Sequence, residues 1–292
     1  MIWQDYKKLY ANALKQYSPK FKKELQNQVN TYCRTLDYNA ISDKAIKKTI
    51  QKLHLAMGVK MAQISSKVIK RSVKGHYEAL ELKSAETDLF AYTILQYLQT
   101  QGLDQLASDI TNTTKEQIRR YLIQSAEQNL TLPESIALLR NAGITDYRAE
   151  LIARTETGRA ANIGSMVGAT STGLVTVKEW IAAKDNRTRR IPRDQFDHLN
   201  MDGTKIPMDA TFKLQNKKGG FDLMLHPCDS SGSAADVCNC RCTLGYEAQR
   251  DKNGKLLKLE NNPPKGNVGM IWGILTNAIG MQIGNLIADL FE

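Results

Sequence analysis

Histidine and cysteine are scarce in this 292-residue chain, which holds four of one and five of the other. Metal or thiol chemistry is therefore confined to wherever these few residues meet. Proline is nearly as rare, and only Pro19 and Pro133 precede Pro192. That absence leaves the first half free of helix breakers. Acidic residues are sparse in the N-terminal quarter. Met1 to Gly75 holds 16 Lys/Arg against 4 Asp/Glu, a balance of +12, while the rest holds 24 against 26. The start, Met1-Ile-Trp-Gln-Asp-Tyr6, lacks a basic segment followed by an apolar run. The expectation is synthesis and use in a reducing cytoplasm, where thiols or metal are favoured over disulfides. No nucleophile elbow, phosphate-cradling glycine loop or HExxH pair occurs. The commonest hydrolase and nucleotide-binding signatures are thereby excluded.

What is present is mainly helical periodicity. Ile46, Ile50, Leu53, Met57, Met61, Ile64 and Val68 recur at steps of three and four, which predicts one long helix over Lys44 to Lys74. Glu78 to Leu106 continues in the same style and divides near Gly102. Thr113-Thr-Lys-Glu116 reads as the entry of a further helix, Leu132 to Arg140 as a short one with Pro133 in its first turn, and Asp146 to Asn162 as a longer one. Small residues along the last, including Ala149, Ala153, Gly164 and Gly168, permit close approach of neighbours. From Gly173 the pattern changes. Leu174 to Ile181, Phe212 to Leu214, Asp222 to His226 and Arg241 to Tyr246 read as short strands.

The expected fold class is α+β and mostly helical. A basic helical region covers 1–110, and a second unit covers 111–248, with helices over 111–172 and a small mixed α/β region over 174–248. A polar linker spans 249–266, and an apolar, glycine-striped amphipathic helix spans 267–292. No charged residue occurs from Gly266 through Ala288. Gly269, Trp272, Gly273, Leu275, Ile279, Gly280, Ile283 and Gly284 are its candidate partner-binding positions, with membrane contact through residues 268–288 as the alternative. The basic N-terminal block would attract DNA nonspecifically or an acidic protein surface, unless it is only a solvated lysine face.

Four of the five cysteines fall in one run, Cys228, Cys238, Cys240 and Cys242, opened by His226. If Asn239-Cys-Arg-Cys242 is extended, its two thiols share a face. Tetrahedral zinc needs two more donors. The expected ligands are His198, Cys228, Cys240 and Cys242, with His226 and Cys238 as substitutes. A Cys228–Cys238 disulfide and simple burial of small thiols are the competing readings. A second cluster, Arg154, Glu156, Asp185, Arg187 and Arg189, is expected to form a structural ion-pair network rather than a catalytic site.

Several segments in order carry a family resemblance. They are Ile152-Ala-Arg-Thr-Glu156, then Trp180-Ile-Ala-Ala-Lys-Asp-Asn-Arg-Thr-Arg189, then His198 before a turn with Gly203, then His226-Pro-Cys-Asp229 and Asn239-Cys-Arg-Cys242. Over about 110–245 the chain resembles the minor head protein, or head morphogenesis, family of tailed bacteriophages (phage Mu protein F-like). It departs from that pattern at Cys228, where the family has glycine, and in the extra residues 190–197. The resemblance implies a structural component of the virion, not an enzyme. It would sit in the capsid interior or at the portal vertex, in several copies, bound to the portal protein and other capsid proteins. Its roles would lie in capsid morphogenesis, DNA packaging or DNA ejection. Two alternatives stand beside it. One is a metal-dependent hydrolase or toxin-like effector using His198, Asp185 and Glu156. The other is an ejected protein that meets the host membrane through its last helix.

Overall fold

The computed structural model describes residues 2–73 and 86–278. Among these, the first helix, α1 (Ile2–Thr35), buries Tyr6, Tyr10, Ala13, Tyr17, Phe21 and Leu25 at steps of three and four. Its lysines stay outside. Helix α2 (Lys44–Ser72) follows after a short 3-10 turn, Tyr38–Ala40, and buries the stripe that runs from Ile46 to Ile69. Helix α3 (Glu86–Thr100) ends at Gly102, whose φ of +78° makes the break that the sequence expectation placed there. The part of that expectation on residues 78–85 lies outside the described residues.

Helix α4 (Leu103–Glu127) corrects one expectation and crosses the boundary placed at residue 110. Thr113 and Thr114 do not open a helix. Their hydroxyls donate to the carbonyls of Asp109 and Ile110, one turn back, and so sit inside a continuous helix. Helix α5 (Leu132–Asn141) has the expected proline in its first turn, and a reciprocal cap joins Thr131 and Glu134.

Helix α6 (Ile144–Thr170) is the axis of the molecule. From Ala153 onward every residue but Arg154 is buried. A helix covered on all sides needs small residues where backbones meet, and Gly164 and Gly168 supply them. A Cβ at Gly164 would lie 2.0 Å from the Gly58 carbonyl oxygen of α2, and one at Gly168 2.0 Å from that of Ala62. The Ser65 and Ser165 hydroxyls bond across the same seam at 2.7 Å. Helix α1 joins from another side, where the Tyr10 hydroxyl donates to the Arg154 carbonyl. The basic helices and the start of α6 thus share one apolar cluster.

Beyond α6, strands β1 (Thr176–Ile181), β2 (Lys205–Pro207) and β5 (Thr243–Ala248) form an antiparallel sheet in the order β2-β1-β5. Strands β3 (Phe212–Gln215) and β4 (Phe221–Met224) form a hairpin. A single turn, α7 (Ala234–Val237), lies between β4 and β5. Strand β2 and α7 escaped the sequence reading because each is shorter than one period of a readable pattern. The segment expected as a polar linker folds back onto the residues that lead into β1. Leu257 accepts from the amide of Val175, the Leu259 amide donates to Gly173, and both Leu256 and Leu259 are buried.

Helix α8 (Gly266–Ala278) packs on α3 and α6 through Val268, Ile271, Leu275 and Ala278. This corrects part of the partner-binding expectation. Leu275 is spent inside the chain, and the Pro264 carbonyl already closes the space beside Gly269. Trp272 is half-buried, and space beside Gly273 is open. Ile279, Gly280, Ile283 and Gly284 lie outside the described residues. No described helix is long and apolar enough to cross a membrane.

Candidate functional site

The strand entry at β5 places Cys240 and Cys242 on one face, as an extended backbone requires. His198 reaches them from the long loop after β1. Its Nδ1 lies 3.5 Å from the Cys240 sulfur and 3.6 Å from that of Cys242. One donor atom from each of these residues lies within 4.8 Å of the other two. Cys228, the fourth expected ligand, stands at the edge of this trio. Its thiol donates to the Cys240 carbonyl oxygen at 3.4 Å. All four residues are buried.

The two substitutes are elsewhere. His226 turns Nδ1 onto the Pro227 carbonyl, and Cys238 is half-buried beside Arg189. All five cysteines are free thiols, so the expected alternative of a Cys228–Cys238 disulfide is not formed.

The far side of His198 is held by a residue that the sequence reading missed. Asp236, on α7 and fully buried, accepts a short hydrogen bond from His198 Nε2. Trp180 packs edge-on to the imidazole, with ring centroids 5.4 Å apart. Burial drives the imidazole toward neutrality. The Cys240 charge and the Asp236 bond outweigh it and hold the pKa up at about 9. Thiol hydrogen bonds from Cys228 and Cys242 stabilise Cys240 as a thiolate, well below the usual thiol range. The same bonds, with burial, hold Cys228 and Cys242 protonated.

The surrounding motif residues act as clamps. On α6, the Thr155 hydroxyl accepts from the Asn239 amide, Arg159 Nε donates to the Cys228 carbonyl, and Asn162 donates to those of Pro227 and Cys242. From the other side, Asp185 accepts both guanidinium nitrogens of Arg241, and Arg189 donates to the Cys238 carbonyl. The Arg189 carbonyl receives the amides of His198 and Leu199. The loop is thereby stapled to the cysteine turn next to both Cys240 and Cys242, and that delivers the imidazole.

The expected five-member ion network is corrected in its pairings. Glu156 pairs with Arg159 at 2.7 Å and with His54 of α2 at 3.2 Å, not with Arg154. Arg154 instead meets Glu150 on the same helix. Arg187 gives Asp185 only its backbone amide. Arg159 and Arg241 carry the charge pairing, His54 adds a hydrogen bond, and of the three only Arg241 lies within the motif segments. Helical spacing from Glu156 to Arg159 was a readable signal; the approach of His54 across 102 residues was not.

Residues 107–245 match the family described as Phage Mu protein F like protein. This part of the chain belongs to that phage head morphogenesis family. No curated protein and no solved structure matches the chain. In this Mu F-like region, the motif segments that read as separate patches in sequence meet at one place. The α6 face, the Asp185–Arg189 loop and the cysteine turn converge on His198. The residues expected for a hydrolase are each bonded to a different partner and not to one another. Glu156 is paired to His54 and Arg159, Asp185 to Arg241, and His198 to Asp236. Each carboxylate is engaged in a fold contact, which is not the setting of a general base poised over substrate.

Proposed function

We propose that this chain is a minor head protein of a tailed-phage virion. It docks at the portal vertex in several copies and acts in capsid assembly, DNA packaging or DNA ejection. The match of residues 107–245 to a phage head family carries the reading. The engagement of every candidate catalytic group in fold contacts supports a structural rather than an enzymatic role.

The surface of α1 and α2 supports a position facing packaged DNA. Their lysines are mostly exposed, and only Lys22, Lys47 and Lys70 meet a described carboxylate. Unpaired ammonium groups on a rigid helical face favour phosphate contacts of low sequence specificity. The exposed side of α8 and the residues that follow are the proposed contact with the portal or a neighbouring capsid protein.

Mass spectrometry of purified virions and assembly intermediates tests the proposal. Copies of this chain that co-purify with portal protein are expected. Particles that assemble and package DNA while containing none of it would overturn the reading.

A further inference from the structure

We infer that His198, Cys240 and Cys242 form a closed structural zinc site, with Cys228 as the fourth ligand and Asp236 orienting the histidine. The spacing is the first argument. Tetrahedral zinc with ordinary Zn–S and Zn–N bonds sets its nitrogen and sulfur ligands about 3.6 Å apart. The Nδ1 atom of His198 lies 3.5 and 3.6 Å from the two sulfurs. The second argument is the tautomer. Nε2 lies against the Asp236 carboxylate, so an imidazole that donates Nε2–H there would offer its Nδ1 lone pair to an ion beside the two sulfurs. A carboxylate behind a histidine is the usual outer support of a zinc ligand.

Cys228 supplies the third argument. It is a non-glycine residue at φ +64°, in the left-handed region that favours glycine. A thiol held there against backbone preference implies a task for the sulfur. Space for it comes from α6, where a Cβ at Gly158 would fall 2.6 Å from the Cys228 sulfur. Its thiol donates to the Cys240 carbonyl at 3.4 Å, beside the trio, and turning the side chain toward the two sulfurs would supply the fourth ligand.

Burial decides the type of site. His198 and the three cysteines are each at most 2% exposed, so no coordination position opens to water or substrate. The ion would tie together the loop after β1, the turn after β4 and the entry to β5. The inference concerns the fold and does not depend on where the protein sits in the phage.

Metal analysis and X-ray absorption on the purified full-length chain test it. The expected result is about one zinc per chain, in a shell of three sulfurs and one nitrogen. Cys228→Ala should lower the shell to two sulfurs, and Asp236→Asn should keep the shell but weaken zinc affinity roughly 10- to 100-fold. A wild-type shell of two sulfurs would remove Cys228 from the site. Should the cysteine variants fail to fold, wild-type protein stripped by chelator gives the answer. A fallen melting temperature restored by zinc supports the site. Melting that is the same with and without zinc, in a chain that purifies without metal, overturns it.

Discussion

Replacing Gly164 with alanine tests whether the basic helices and the Mu F-like region are one packed unit. In a solvent-facing helix this change stabilises by about 1 kcal/mol, because alanine is the better helix former. Here the added methyl would stand 2.0 Å from the Gly58 oxygen and 2.5 Å from its Cα. Real contacts of this kind are not closer than 3.0 Å, so α2 and α6 must part by at least about 1 Å. Overpacking of a tight core costs about 1–3 kcal/mol, and occasionally more. The obstacle here is backbone, which cannot rotate aside, so the upper end applies. Against the gain in propensity, the net loss is about 2 kcal/mol, or roughly 4–8 °C in Tm. Gly168→Ala, at 2.0 Å from the Ala62 oxygen, should behave alike. The assay is urea unfolding followed by circular dichroism. A Gly164→Ala chain that is more stable than wild type would refute the close seam, and with it the docking of α2 on α6.

Glu156→Ala leaves Arg159 and His54 buried without their carboxylate, and should destabilise by about 3–5 kcal/mol; a loss under about 1 kcal/mol in the same urea assay would show the pair to be dispensable. Asp185 is held near a pKa of about 2, chiefly by its bond from Arg241, below its ordinary 3.8. Its folded pKa is depressed, so its contribution is complete above pH 3.8 and disappears as pH falls through about 2. The stability gap between wild type and Asp185→Asn should therefore shrink across that window. Lys178 is fully buried with Nζ on the Leu225 carbonyl, and burial brings its pKa down to about 7 from 10.5. Between those values the unfolded chain binds more protons, so raising the pH through the window should stabilise the fold. Lys178→Met should flatten that rise in urea midpoints, and an unchanged slope would place the charge elsewhere.

The helices were legible where one face repeats. The Ile46–Ile69 stripe predicted α2, and Gly102 marked the break before α4. Thr113 misled because threonine hydroxyls cap helix starts and also bond back to carbonyls within helices; only the register of the chain decides between them. The last helix misled in a similar way. Val268, Ile271 and Leu275 announce an apolar face, but periodicity carries no information about whether its partner is another molecule or α3 and α6 of the same chain.

For the candidate site, residue chemistry named His198, Cys240 and Cys242, because thiols and imidazole are scarce and clustered. It did not name Asp236, an ordinary aspartate in a four-residue helix whose role exists only through its contact with His198. Nor did it pair Glu156 with His54, which are 102 residues apart. By itself, then, the sequence determined the helical class, the family of residues 107–245 and the donors available to a metal. Local spacing and side-chain chemistry are enough for those. The tertiary structure decided that the basic helices share a core with that region, that α6 lies buried along its middle, and which carboxylate stands behind the histidine. Such pairings join residues far apart in the chain; the sequence marked Gly164 and Gly168 as places of close approach, but that Gly58 and Ala62 of α2 are what approach them is encoded in no local pattern.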